Sequence, residues 1–329
     1  MAVVRGWVCA AAVKPNRCVR HDAISRRSLV VLLALSTLSA GACGLGEQNM
    51  GSVAPPAERN APQFADLSTS LRALEADHDV QFGIYAYDPG SGREYRWNAD
   101  VRYPLCSTVK VYTVAAILRL AQQGQLDLQE RVPVHAADIV PNSPVAYDSV
   151  GETMSWYELG EAALVRSDNA AANLLTRRLG GPHVVTEFAR SVGDTETRLD
   201  RWEPALNEGA PGDPRDTGTA HALATGYQRV ILGDALSRDY RLMLTSWMRS
   251  SKTSRERMRK YLPPGWVAAD KTGTGGYGTA NDAGVVWGPT GTSLVLVIFS
   301  RSTVGSAQAE PSNAALARAA RVVVGTMSR

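Results

Sequence analysis

A serine and a lysine three positions apart form the first pattern in this sequence that could carry chemistry. In Ser107-Thr108-Val109-Lys110 the two side chains would share a face of a helix, so the Lys110 amine can reach the Ser107 hydroxyl. Serine is a weak nucleophile until a base takes its proton, and a buried lysine with a lowered pKa can be that base. Alone, this spacing is more typical of two ordinary helical residues. Taken functionally, it predicts a nucleophilic serine near a helix N-terminus, where the helix field favours negative charge.

Two later motifs supply groups that could position a substrate and move a proton. Ser167-Asp168-Asn169 places a hydroxyl and an amide on a short turn, where they could relay a proton to a leaving nitrogen, although alone it is more typical of a helix N-cap. Lys271-Thr272-Gly273-Thr274 follows a strand-like segment, residues 266–270. Its lysine and hydroxyl could bind a carboxylate, Gly273 could admit a substrate backbone, and the Thr274 N–H could donate to an oxyanion.

In this order the three motifs resemble the signature of class A β-lactamases and penicillin-binding proteins. The resemblance extends over residues 64–327. Ser143-Pro144-Val145 resembles the family's substrate-cleft segment, and Asn173 resembles the asparagine that supports a neighbouring loop. The resemblance implies a serine acyl-enzyme at Ser107, a small-molecule β-lactam as partner, no cofactor and a monomer.

One segment is typical of the hydrolases and not of the transpeptidases. Arg201-Trp202-Glu203-Pro204-Ala205-Leu206-Asn207 resembles the opening of the class A Ω-loop, whose glutamate and asparagine hold the hydrolytic water. Arg201 and Asp216 resemble the ion pair that closes the loop. The resemblance therefore implies a β-lactam hydrolase with Glu203 as the deacylating base, which would confer β-lactam resistance. A DD-peptidase or transpeptidase and a non-catalytic β-lactam sensor are the alternatives.

The sequence departs from the family pattern at two places. The arginine that often follows the third motif is replaced by Ala280, and Arg257 resembles the substitute found in a subset of the family. The alternative is that Arg257 is a solvated member of a basic cluster at residues 255–259. The aromatic residue that often walls the cleft is Asn142, which leaves the preferred class of β-lactam open.

The element pattern predicts an α/β (α+β) fold. Helical or strand-like segments at both ends enclose a helical middle, which indicates a sheet completed by both chain ends with an inserted helical lobe. With the family resemblance, this becomes an antiparallel sheet flanked by helices. The predicted division is an α/β lobe at 63–104 plus 250–329 and a helical lobe at 105–249. Within the helical lobe, residues 111–120 and 156–179 are expected to be helical.

Other enzyme classes find little support. Gly273, Gly275 and Gly278 match a dinucleotide-binding pattern, but a β-rich run follows them where a helix is required, so they indicate a hairpin. No GxSxG motif suggests a Ser-His-Asp hydrolase, and no CxxC or HExxH motif suggests a metal site. The net charge is +3, but the first 42 residues contribute +5 and leave −2 for the rest, so nucleic-acid binding is not expected.

The N-terminal residues 1–43 are expected to be an export signal. Arg26 and Arg27 precede an apolar run, residues 29–38, that is too short to span a bilayer. The pair fits a twin-arginine signal or an ordinary one. Residues 40–43 resemble a lipoprotein box with Cys43 as the lipidated residue, and plain cleavage nearby is the alternative. A Pro/Gly-rich linker is expected at residues 44–62.

Overall fold

A five-stranded antiparallel sheet lies at the centre of the computed structural model, which describes residues 64–329. The strand order is β2-β1-β9-β8-β7, so strands from both ends of the chain complete one sheet. The strands are β1 (Val80–Tyr87), β2 (Glu94–Trp97), β7 (Val267–Gly275), β8 (Thr279–Trp287) and β9 (Ser293–Ser302). The predicted fold class is confirmed. The lobe boundaries stay a prediction, and the leader and linker lie outside the described residues.

Two hydrophobic cores lie on opposite faces of the sheet, because successive side chains of a strand point to opposite sides. In β9, Leu294, Leu296 and Ile298 pack with α1 (Ala65–His78) and α9 (Asn313–Met327). The alternate residues Val295, Val297 and Phe299 join the core of the helical middle. The sheet is therefore buried on both faces, with one face turned towards the helices that carry the first two motifs.

The helical middle is organised around one buried helix, α2 (Lys110–Gln122), whose residues 110–118 are all buried. Around it lie α3 (Pro144–Asp148), α4 (Trp156–Val165), α5 (Asn169–Leu179), α6 (Pro182–Ser191), α7 (Ala220–Ile231) and α8 (Arg238–Arg249). Two small ladders join β3 (Arg102–Pro104) to β6 (Thr217–Thr219) and β4 (Arg131–Pro133) to β5 (Thr153–Ser155). An all-round apolar sequence thus gives a buried central helix, as the pattern predicted.

The helical pattern predicted over residues 156–179 forms two helices, which are divided at the second motif. Helix α4 ends at Val165, and Ser167 has a φ of +56°, a left-handed conformation that redirects the chain. Asp168 then begins α5 as its N-cap, with its carboxylate accepting the Ala171 N–H at 2.9 Å. The second motif is therefore both a helix cap and a turn, and the turn exposes the Ser167 hydroxyl between two helices.

Candidate active site

The predicted nucleophile lies on a 3₁₀ turn, Cys106–Val109, that runs directly into α2. Cys106 has a φ of +48°, so the backbone takes an uncommon conformation immediately before Ser107. Ser107 is 8% exposed, and its hydroxyl donates to Glu203 Oε1 over 3.4 Å. The turn therefore presents this hydroxyl to a carboxylate at the N-terminal end of a buried helix.

The Lys110 amine is buried among acceptors. It lies 2.5 Å from Asn169 Oδ1, 2.7 Å from the Ser167 carbonyl oxygen and 3.1 Å from Glu203 Oε1. Burial lowers the pKa of Lys110, while the Glu203 carboxylate acts in the opposite direction. The expected proximity to Ser107 is thus mediated by Glu203, whose Oε1 accepts from both side chains.

Two asparagines hold Glu203 in place, one through its backbone and one through its side chain. Asn173 accepts the Glu203 N–H at 3.0 Å and donates to the Glu203 carbonyl at 2.9 Å. The Asn207 amide donates to Glu203 Oε2 at 2.5 Å. The Glu203–Pro204 peptide bond is cis. The carboxylate therefore accepts from Ser107, Lys110 and Asn207 together, and its backbone is fixed by α5.

An ion pair joins the two ends of the loop that carries Glu203. Arg201 Nε lies 2.5 Å from Asp216 Oδ2, and Asp216 is 1% exposed. The other Asp216 oxygen accepts the N–H groups of Asp200 and Arg201 at 2.7 and 2.9 Å. The two ends are thus joined by both charge and backbone hydrogen bonds, as the resemblance implied for this pair.

The second motif is bound to the short helix α3. Asp168 Oδ2 accepts the N–H groups of Val145 and Ala146 at 2.8 and 3.0 Å. In return, Ser143 Oγ accepts the Ala170 N–H at 2.9 Å. The cleft segment at residues 143–145 and the turn around Ser167 therefore form one hydrogen-bonded unit.

The third motif lies within β7, beyond the strand end that the sequence predicted. The Lys271 amine is fully buried and donates to Ser167 Oγ at 3.0 Å. Burial, together with the nearby Lys110 amine, lowers the pKa of Lys271 to about 7. At Gly273 a Cβ atom would lie 2.9 Å from the Leu105 carbonyl oxygen, so this glycine allows β7 to pack against the turn before Ser107. The predicted reason, admission of a substrate backbone, stays a prediction.

Arg257 is buried beside the third motif. It is 6% exposed, and its guanidinium donates to the Gly273 carbonyl and to Thr274 Oγ1, both at 2.6 Å. The interpretation of Arg257 as a solvated residue was wrong. Ala280 is paired with Thr274 across β7 and β8. The guanidinium therefore lies near Ala280, the position at which many family members carry an arginine.

Seven of the eleven predicted site residues line one cleft of about 390 Å³. These seven are Ser107, Ser167, Asn169, Asn207, Arg257, Thr272 and Thr274. Three of the other four do not line the cleft but are hydrogen-bonded to residues that do; these three are Lys110, Glu203 and Lys271. The last one, Gly273, packs against the turn that carries Ser107. The structure therefore brings all eleven into one region.

Sequence reasoning missed two residues that support this cleft. Thr253 lines it, and its hydroxyl lies 2.6 Å from Thr272 Oγ1. The Asn281 amide donates to the Pro104 and Leu105 carbonyls at 2.7 and 3.2 Å and so supports the nucleophile turn. A signal for Asn281 was present, because it is a polar residue inside the buried strand β8. Thr253 lies in an irregular segment and gave none.

Two other properties concern the described part of the chain. Residues 64–329 contain no group of three or more His, Cys, Asp or Glu side chains that could hold a metal ion. None of the helices formed by these residues is both long and apolar enough to cross a membrane.

Comparison with known proteins places this chain in a family. Residues 66–327 match the model of the β-lactamase enzyme family. The chain is 47% identical over 283 residues to a β-lactamase of Streptomyces fradiae, covering 84% of this chain and 91% of that protein. It is 40% identical over 314 residues to a β-lactamase of Mycobacterium tuberculosis, covering 94% of this chain and 100% of that protein.

Solved structures agree with the family match. A β-lactamase from Burkholderia phymatum superposes with a TM-score of 0.79 at 37% identity, over 81% of this chain and 100% of the other. The class A β-lactamase of the last common ancestor of Gram-negative bacteria gives a TM-score of 0.77 at 42% identity, over 80% and 100%. This chain belongs to the class A serine β-lactamases, which hydrolyse β-lactams.

Proposed function

We propose that this enzyme opens the β-lactam ring through an acyl ester on Ser107 and hydrolyses that ester with a water activated by Glu203. The observation that carries the proposal is the convergence of Ser107, Lys110 and Asn207 on one buried carboxylate. A transpeptidase must protect its acyl-enzyme from water, so a base fixed beside the nucleophile would work against it. A binding sensor has no use for such a base.

In the acylation step, the substrate carboxylate lies near Thr272, Thr274 and Arg257. The Ser107 oxygen attacks the ring carbonyl, and the Ser107 and Thr274 N–H groups stabilise the oxyanion. The serine proton passes to Glu203 or to Lys110, since both side chains belong to one hydrogen-bonded set. When the C–N bond breaks, Ser167 donates its proton to the nitrogen.

Deacylation uses the same carboxylate. Glu203 takes a proton from a water molecule positioned with Asn207, the hydroxide attacks the ester carbonyl, and the Ser107 oxygen recovers a proton as it leaves. Asn169, whose Oδ1 is fixed by Lys110 at 2.5 Å, helps to hold the substrate side chain. The cycle ends with the opened ring released and Ser107 free.

The test is a comparison of the wild type with Glu203→Gln on a chromogenic penicillin or cephalosporin. A positioned base typically contributes about 10²–10⁴-fold, so the variant should show one stoichiometric burst followed by turnover slower by that factor. Mass spectrometry should place the acyl group on the peptide containing Ser107. Glu187→Gln removes an exposed carboxylate on α6 and should turn over like the wild type.

Two outcomes would contradict the proposal. If Glu203→Gln turns over like the wild type, the hydrolytic water is held elsewhere. If the wild type itself stops after one burst, the chain acylates without efficient hydrolysis and the mechanism resembles that of a penicillin-binding protein.

A further inference from the structure

A second groove, here called the side groove, opens beside the catalytic cleft. Its volume is about 1050 Å³, and it shares two lining residues, Asn142 and Thr253, with the cleft. The Asn142 amide donates to the Ser167 carbonyl at 3.1 Å, so its short side chain folds back onto the turn. The cleft and the side groove are therefore continuous at the position where the family often has an aromatic wall.

Two cations lie next to each other in the side groove. The Lys252 N–H donates to the Val165 carbonyl at 3.0 Å, which places Lys252 beside Arg166, the next residue after Val165. Both residues are exposed. Within residues 64–329 neither head group has a carboxylate oxygen within 4.0 Å, and Asp148 is the single acidic residue that lines the groove. The side groove thus offers two cationic groups that form no ion pair within 4.0 Å with a described carboxylate.

Part of the remaining lining is apolar or aromatic. Tyr147 is 67% exposed, and Ile139 and Val140 are half-buried beside it. An exposed aromatic ring is a favourable stacking surface for a flat ring of a ligand. Charge and apolar surface together suit a ligand group that combines an aromatic or heteroaromatic ring with a negative charge.

The position of Thr253 indicates which part of a substrate would reach the side groove. Its hydroxyl contacts Thr272 Oγ1, on the side of the cleft where the proposed mechanism places the carboxylate of the fused ring. Asn207, which positions the hydrolytic water in that mechanism, lies on the Glu203 loop and lines the cleft but not the side groove. A substituent on the fused ring would therefore extend past Thr253 into the side groove.

We propose that the side groove is a specificity site, in which Arg166, Lys252 and Tyr147 favour β-lactams whose fused ring bears an anionic aromatic substituent. This inference rests on the proposed function, because the mechanism sets the orientation of the substrate. The two cations are exposed, so each should change kcat/KM by about two- to fivefold, and salt should screen the effect.

The experiment uses two cephalosporins with the same acylamino side chain and, on the fused ring, either a neutral or a carboxylated aromatic substituent. The quantity measured is the ratio of kcat/KM for the anionic over the neutral compound. Arg166→Gln/Lys252→Gln should lower this ratio about four- to twentyfold at low ionic strength and leave the neutral compound within twofold. In 0.5 M salt the Debye length is only about 4 Å, so most of the effect should disappear and the wild-type and variant ratios should converge.

Arg178→Gln/Arg318→Gln is the matched control, since both of its arginines are exposed and it changes the net charge equally. Its ratio should equal that of the wild type. An unchanged ratio in Arg166→Gln/Lys252→Gln, or an equal fall in the control, would overturn the side-groove proposal while sustained hydrolysis of both compounds still supported the mechanism. Absence of sustained hydrolysis by the wild type would instead contradict the proposed function itself.

Discussion

The two lysine amines at the centre of the site disfavour charge on each other. Lys110 and Lys271 are both buried, and both are hydrogen-bonded to Ser167. For Lys271, burial and the neighbouring amine bring the pKa to about 7. The amine that would attract a substrate carboxylate therefore changes its charge near neutral pH.

This property predicts the pH dependence of substrate capture. Above pH of about 7 the free enzyme loses the positive charge on Lys271, so kcat/KM for a carboxylate-bearing substrate should fall, mainly because KM rises. The measurement is a steady-state profile from pH 5 to pH 9. In Lys271→Arg, which keeps its charge, the alkaline fall in kcat/KM should be absent. A wild-type KM that stays constant to pH 9 would contradict the assignment.

Arg257 and Arg255 provide a second test at the level of single residues. The Arg257 guanidinium donates to Thr274 Oγ1 at 2.6 Å and lines the cleft, whereas Arg255 is exposed. Hydrogen bonds to charged groups contribute about 1.5–3 kcal/mol, so Arg257→Ala should raise KM on the order of tenfold or more with a smaller change in kcat. Arg255→Ala should change neither constant. Thermal unfolding checks that Arg257→Ala is still folded, and equal, negligible effects of both substitutions would refute the role.

At the scale of the elements, β7, which carries the third motif, and its neighbour β8 contribute a pair of buried carboxyl groups. Asp270 on β7 and Asp282 on β8 are fully buried. Asp270 Oδ1 binds Arg259 at 2.6 Å, and Asp282 Oδ2 accepts the Met258 N–H at 3.1 Å. The other oxygen of each carboxyl group has no donor among the described residues. Burial, and then the Asp270 carboxylate, raise the pKa of Asp282 well above its usual range.

The raised pKa of Asp282 makes the stability of the protein depend on pH. Because the pKa of Asp282 is higher in the folded protein, its contribution is fully present below its ordinary pKa of about 4 and is lost as the pH rises towards the folded pKa. Over that range the wild type should lose about 1.4 kcal/mol per pH unit relative to Asp282→Asn, whose amide donates without titrating. The difference in Tm between variant and wild type should grow by about 3 °C per unit.

Thermal unfolding between pH 4 and pH 8 measures this difference directly. Asp66→Asn, at an exposed carboxyl group on α1, should follow the wild type throughout. A Tm difference for Asp282→Asn that is independent of pH would show that the pKa of Asp282 is not raised in the folded state.

The elements were predictable from the sequence wherever burial produces a regular pattern. The apolar run at residues 111–120 gave the correct type of element for α2, since this pattern depends on local sequence. The apolar spacing continues across the break between α4 and α5, so only the second motif, as a short turn or a helix N-cap, indicated it. The left-handed conformation of Ser167 could not be predicted, because it depends on contacts with Lys110 and Asn142. The position of the Arg257 side chain likewise depends on its hydrogen-bond partners on β7 and β8, which are not adjacent to it in the sequence.

At the scale of the whole molecule, the site lies where the edge strand β7 meets the helical middle. No periodicity or spacing relates its four central residues, which are far apart in the sequence: Ser107, Ser167, Glu203 and Lys271. Their order alone matched the family pattern, and that resemblance is what identified them as one site. The reaction of the assembled cleft was therefore predictable. The supporting residues Thr253 and Asn281 and the side groove were not, because contacts between distant segments of the chain form them.

Export is the last prediction, and it concerns the whole chain because a β-lactamase protects a cell best outside the cytoplasm. The apolar run after Arg26 and Arg27 indicates a signal, and Cys43 ends a sequence that resembles a lipoprotein box. We expect intact cells that express the chain to hydrolyse a membrane-impermeant chromogenic β-lactam. Activity that appears only after lysis would contradict export. If Cys43 is lipidated, the enzyme should sediment with membranes and Cys43→Ala should be soluble or unprocessed, whereas plain cleavage predicts a soluble wild type with a different N-terminus.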